Sequence, residues 1–161
     1  MVNVIQSKHG GANVWLPPPL FFAAGVVAGL LVEYAVRPFP APIGRKPRLI
    51  AACVVGVAGL GLGLSTRLLF KRSGQDPRPW KPSPEMIVRG PYRFSRNPMY
   101  LGMLLLQSSI GLVIDNLWIV LLSVPALILV HYTAVLPEER YLAGRFGGAY
   151  QNYIGAVRRY L

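Results

Sequence analysis

Two short segments of this 161-residue chain hold the residue types that could bind and align reactants. The first is Arg89-Gly-Pro-Tyr-Arg-Phe-Ser-Arg-Asn-Pro-Met-Tyr-Leu-Gly102. The second is Pro137-Glu-Glu-Arg-Tyr141, with Tyr150 and Tyr153 further on. Arg93 and Arg96 can hold a carboxylate or phosphate, because the guanidinium fork matches both. Tyr92, Tyr100, Tyr150 and Tyr153 supply flat faces and hydroxyls for stacking an adenine or a cation. Gly90 and Gly102 allow a ligand to approach the backbone closely. Glu138 and Glu139 abut an apolar helix, which favours partial desolvation and pairing with nearby arginines. A ligand with an amino-acid head and an aromatic base suits this set. Each part has a plainer use: arginines and tyrosines anchor helix ends, Glu-Glu makes a solvated helix exit, and Asn97-Pro98 starts a helix. The spacing of the whole block is what points to a site.

These residues must be positioned by apolar helices. The chain is 53% hydrophobic and only 14% charged, with a mean hydropathy of +0.41, where soluble domains carry roughly 25% charge. The pattern is that of an all-α integral membrane protein, one membrane domain over 1–161, with about four transmembrane helices near 16–36, 49–70, 99–114 and 117–136. Pro17 to Pro19 open the first run, where early backbone donors are unpaired in any case. The Asp115-Asn116 pair interrupts the apolar sequence and signals a tight hairpin between helices three and four, with a possible kink at Pro125. Gly25 and Gly29 in the first span, and Gly59 and Gly63 in the second, carry the small-residue spacing of close helix pairs, which suggests that these two helices pack together. The segment 71–98 is a polar, proline-rich loop, and 137–161 is an amphipathic C-terminal segment.

A net charge of +11 and a pI near 10.4 raise the prospect of nucleic-acid binding. The basic residues lie between apolar runs and not on one soluble face, so membrane lipids are the expected partner and nucleic acid is not. With four spans, Lys8, the basic loop 71–98 and the C-terminal arginines share one side. The other side carries only Arg37, Arg45, Lys46 and Arg48. The positive-inside rule therefore places both termini and the loop in the cytoplasm. The first apolar run reads as a permanent helix and not as a cleaved signal. The single cysteine, Cys53, lies inside an apolar run, and no metal site or disulfide is expected.

The block from Gly90 to Gly102, followed by a helical hairpin, Glu138-Glu139, Phe146-Gly147 and Tyr150-x-x-Tyr153, resembles the isoprenylcysteine carboxyl methyltransferase and phospholipid methyltransferase superfamily of membrane enzymes. The likeness covers about residues 70–161; the first two helices agree in hydropathy only. The resemblance implies a cytoplasmic S-adenosyl-L-methionine pocket formed by the loop and the C-terminal segment. Tyr92, Arg93, Arg96, Asn97, Pro98, Tyr100, Leu101 and Gly102 would line it, and Glu138, Glu139, Tyr150 and Tyr153 would close it. Two departures stand out. Many members have His where this chain has Asn97, and an amide cannot titrate near neutral pH. The usual C-terminal Val-Pro is replaced by Val157-Arg158-Arg159.

The leading expectation is an S-adenosylmethionine-dependent methyltransferase acting on a lipophilic or amphiphilic acceptor, such as an isoprenylcysteine carboxylate or a phospholipid amine. Glu139 or Glu138 would stabilise a cation or accept a proton, and Arg93 or Arg96 would orient an anionic group. The alternatives are a non-catalytic membrane scaffold or lipid-binding protein and, at lower weight, a nicotinamide-dependent membrane reductase. Glu33 and His131 are costly in lipid and thus functional candidates by default. Snorkelling accounts for Glu33, and a hydrogen bond to a neighbouring helix is the expectation for His131.

Overall fold

The computed structural model describes residues 10–161, and Lys8 lies outside them. Helices α1 (Pro18–Ala35), α2 (Arg45–Arg72), α3 (Pro98–Ile114), α4 (Leu117–Val130), α5 (Leu136–Phe146) and α6 (Gly148–Ala156) follow one another, with a π-helical turn at His131–Val135 and a 3-10 turn at Gly90–Arg93. No strand occurs among the described residues, so the chain is an all-α membrane protein. Pro18–Ala35, Arg45–Arg72 and Leu117–Phe146 are each long and apolar enough to cross a bilayer. The shorter apolar helix, α3, has 17 residues, about 25 Å at the α-helical rise.

The fourth span does not stop near residue 136 but continues helically to Phe146. The π turn has a local cause. Pro137 lacks the N–H that an α-helix would direct at the Thr133 carbonyl, and its ring crowds that oxygen, so the preceding turn widens. The C-terminal segment is two helices, not one. Gly147, at φ 52°, separates α5 from α6 in a conformation that L side chains rarely adopt.

The chain forms two compact units. One comprises 17–63 and 99–130; the other comprises 10–16, 64–98 and 131–161. In the first unit, helices meet where side chains are absent. A Cβ on Gly59 would stand 2.9 Å from the Gly102 carbonyl oxygen, and one on Gly56 would stand 2.7 Å from Ser109 Oγ. Gly29 admits Ile119 of α4, and Gly25 faces the amide of Gln107 on α3. The small residues of the first and second helices therefore serve contacts with α3 and α4. Spacing marks a face that can be approached closely, without naming its partner.

Short neutral hydrogen bonds tie the same helices. Ser109 Oγ donates to the Ala52 carbonyl (2.8 Å), and Gln107 Nε2 to that of Ile119 (3.0 Å). Asn116 Nδ2 donates to the Gly29 carbonyl (3.3 Å). Its Oδ1 accepts the Ile119 N–H (3.1 Å), capping α4 as the Asp-Asn turn promised. Arg48, expected merely to flank a span, is buried. Its Nη1 donates to the Leu112 (2.6 Å) and Val113 (3.1 Å) carbonyls that α3 leaves unpaired at its C-terminus. Its Nε lies 3.4 Å from Asp115 Oδ1, which also accepts the Ala41 N–H (2.9 Å).

Candidate functional site

In the second unit, the 3-10 turn follows Gly90, whose φ of 62° suits glycine and whose missing side chain leaves room for Leu69. Phe70 meets the Tyr92 ring edge-on, at 6.2 Å between centroids. The chain then runs through Ser95, Arg96 and Asn97 to the start of α3, and these three residues grip the C-terminal tail. The Arg96 N–H donates to the Arg158 carbonyl (3.0 Å). Ser95 Oγ (3.3 Å) and Asn97 Nδ2 (3.0 Å) both donate to the Arg159 carbonyl. Asn97 is buried, and its amide is a tail-holding donor that needs no titration.

Charge completes the grip. Glu139 on α5 accepts Nε (3.0 Å) and Nη2 (2.8 Å) of Arg159 in a fork, and its Oε1 lies 3.3 Å from Arg96 Nη2. One carboxylate thus joins an arginine of the segment before α3 to an arginine of the C-terminal tail. Arg96 is the more deeply placed, with its side chain 8% exposed against 39% for Arg159. Nε and Nη1 of Arg96 are buried and have no hydrogen-bond partner among the described residues. A buried guanidinium with two idle donors is costly, and an anionic ligand would satisfy it.

Three tyrosines surround this arginine and its carboxylates. Tyr150 is buried, its ring 6.1 Å from that of Tyr153. Burial first, and then the Glu139 carboxylate, push its hydroxyl up to about 12, against the pull of Arg96. Burial and then Tyr150 raise Tyr153, with Arg96 opposing. Burial, then Glu138 and Tyr153, raise Tyr92. All three are neutral at physiological pH. The Tyr153 hydroxyl donates to the Tyr92 carbonyl at 2.7 Å.

The structure therefore brings Tyr92, Arg96, Asn97, Pro98, Glu138, Glu139, Tyr150 and Tyr153 into one unit, while Arg93 there is exposed. Tyr100, Leu101 and Gly102 belong to the other unit, where Tyr100 is buried and a Cβ on Gly102 would stand 3.0 Å from the Gly59 carbonyl oxygen. Arg159 and Ser95 were not anticipated as site residues. Arg159 in particular read as a departure from the expected tail. A lone arginine pair near the C-terminus, in a unit whose carboxylates include the apolar-flanked Glu139, was the available signal.

Comparison with known proteins adds one finding. The sequence model of the phospholipid methyltransferase family matches residues 48–149, well over half of the chain. Tyr150, Tyr153 and the tail lie beyond the matched segment. No curated protein and no solved structure matches.

Proposed function

The chain belongs to the phospholipid methyltransferase family, membrane methyltransferases of lipid-like substrates, and we propose that it uses S-adenosyl-L-methionine to methylate an amphiphilic acceptor at the cytoplasmic face. The observation that carries this reading is the buried Arg96, with two unpartnered nitrogens beside Glu139 and Tyr150.

The residues fit that cofactor. Its amino-acid carboxylate would meet Nε and Nη1 of Arg96, and the rings of Tyr92, Tyr150 and Tyr153 would supply faces and neutral hydroxyls to its other polar groups. When bound, it supplies an activated methyl group on a positively charged sulfur. The protein's task is then alignment and exclusion of water, since methyl transfer is an in-line displacement. Glu139 orients Arg96 and holds the Arg159 tail, acting as a positioning residue. Glu138, half-buried on the first turn of α5, is the remaining carboxylate candidate for stabilising the cofactor's positive charge. An isoprenylcysteine carboxylate and a phospholipid amine both suit an acceptor arriving from the bilayer. Placement of both termini in the cytoplasm follows from the basic loop and tail.

Thermal unfolding of the detergent-purified protein with S-adenosylhomocysteine, with NADPH and with neither tests this reading. A ligand that binds only the native state raises its stability. S-adenosylhomocysteine is expected to raise the midpoint in the wild type. Arg96→Ala is expected to weaken it by roughly ten- to a hundredfold, the worth of a charge-assisted hydrogen bond. Stabilisation by NADPH instead would favour a reductase, and no effect of either ligand would leave a scaffold.

A further inference from the structure

One polar residue of the membrane span has no part in the arrangement above. His131 opens the π turn, roughly two helical turns before Glu139 along the Leu117–Phe146 span. Its Nδ1 is 2.8 Å from the Tyr160 hydroxyl of the C-terminal tail, and its ring lies 5.1 Å from Tyr132 in an edge contact. Tyr160 adjoins Arg159, which is forked onto Glu139, which in turn pairs with Arg96. His131 thus ends a polar chain that begins at the proposed cofactor arginine. When Nδ1 carries the ring hydrogen and donates it to the Tyr160 oxygen, Nε2 is the basic nitrogen of the neutral imidazole.

The unit is short of groups that can take a proton near neutral pH. Asp76 is paired with Arg78, Glu85 with Arg89, and Glu139 with two arginines, while Glu138 is taken up, on the reading above, by the cofactor's positive charge. Asn97 cannot titrate. Burial raises Tyr92, Tyr150, Tyr153 and Tyr160, which keeps all four protonated. The chain has two histidines, and His9 lies outside the described residues. An imidazole can take a proton on one ring nitrogen while the other holds a hydrogen-bond partner. A π turn is itself a backbone irregularity that concentrates at functional sites.

We propose that His131, backed by Tyr160, accepts the proton that a lipid ammonium group must lose before it can be methylated. The N–H bond of the ammonium breaks, its electron pair stays on nitrogen as the nucleophile, and the proton lands on Nε2, from which it later passes to water. This deepens the methyltransferase reading and rests on it, because it selects an amine acceptor over a carboxylate, which needs no base. Of the charged and titratable groups, Tyr132 on its own segment and Tyr160 on the tail contact the imidazole, and Arg159 and Glu139 act on Tyr160.

The test uses the full-length protein in phosphatidylcholine vesicles containing phosphatidylethanolamine. Wild type, His131→Asn and Tyr160→Phe are compared for S-adenosylhomocysteine affinity and for the pH profile of methyl transfer. His131→Asn should bind S-adenosylhomocysteine like the wild type, lose about a hundredfold in kcat near neutral pH, and lose the acid limb of the profile. Tyr160→Phe should keep that limb but displace it. Independently of turnover, the imidazole nitrogen resonances of a His9→Gln protein should shift when phosphatidylethanolamine is added. A wild-type kcat and pH profile in His131→Asn overturns the proposal, as does an imidazole that the lipid leaves unmoved. Methylation of carboxylate or thiolate amphiphiles alone also overturns it while the cofactor reading stands. Failure of the wild type to bind S-adenosylhomocysteine overturns that reading as well.

Discussion

The two units hold themselves together by different means. In the unit of residues 17–63 and 99–130, helices approach through Gly29, Gly56, Gly59 and Gly102, and the polar ties are mostly neutral side chains donating to backbone carbonyls, such as Ser109 to Ala52 and Gln107 to Ile119. The unit that carries the candidate site relies on charge: Glu139 between Arg96 and Arg159, with Ser95 and Asn97 holding the tail by its carbonyls. Lipid supplies no hydrophobic drive between helices, so close van der Waals packing has to serve. A site for a charged ligand instead needs fixed charges, and each needs a partner while the site is being held in shape. The contrast teaches that the packing unit should be sensitive to added volume, and the site unit to removed charge.

The largest effect is expected from Glu139→Ala. It leaves Arg96 buried without its carboxylate and frees the tail, at a cost of about 3 kcal/mol, the lower end for breaking a buried pair because Arg159 is 39% exposed. Hydrogen exchange should show residues 157–161 losing protection while the glycine-packed helices keep theirs. Equal loss in both units would break the comparison.

Gly59→Ala should cost about 1–3 kcal/mol, because the new methyl group meets the Gly102 backbone, which cannot step aside. Gly61→Ala, two residues on, meets nothing within 4 Å and serves as its control. Unfolding in mixed detergent–denaturant micelles measures both. Similar midpoints for the two variants would show that volume is not what the packing unit resists.

Alkaline pH should separate the units further. Tyr150 has its pKa raised from 10 to about 12, so the folded state holds its proton more tightly than the unfolded chain does. The stabilisation is complete below about pH 10 and is lost as pH rises towards about 12. Absorbance at the phenolate band, followed against pH, should show a late step that coincides with loss of tail protection. The smallest effect is expected from Ser108→Ala. It removes a 3.2 Å contact with Ser123 and a bond back to the Leu104 carbonyl, worth about 0.6 kcal/mol in a membrane bundle.

Much of the helical frame was legible before any coordinates. The runs of apolar residues marked the spans, and Asp115-Asn116 marked the hairpin turn, where Asn116 caps α4 and Asp115 instead accepts the distant Ala41 N–H. The grouping of Arg96, Glu139, Tyr150 and Tyr153 followed from a known sequence pattern. Arg48 was read only as one of the basic residues between spans, because composition cannot show that two unpaired carbonyls at the end of α3 and the Asp115 carboxylate converge on one guanidinium. Arg159 was underrated for the same reason: nothing in a local window pairs it with a carboxylate twenty residues earlier.

Hydropathy was thus enough to mark a helical membrane protein, because burial in lipid rewards one local pattern, read residue by residue, and the motifs from Gly90 to Tyr153 pointed to its family. Partner choice needed three dimensions. That Gly29 meets Ile119, that Asn97 holds a backbone carbonyl of the tail, and that Glu139 is shared by two arginines depend on long-range geometry. The same side chains at the same spacings would satisfy several other pairings, and only close packing with complementary charge selects among them.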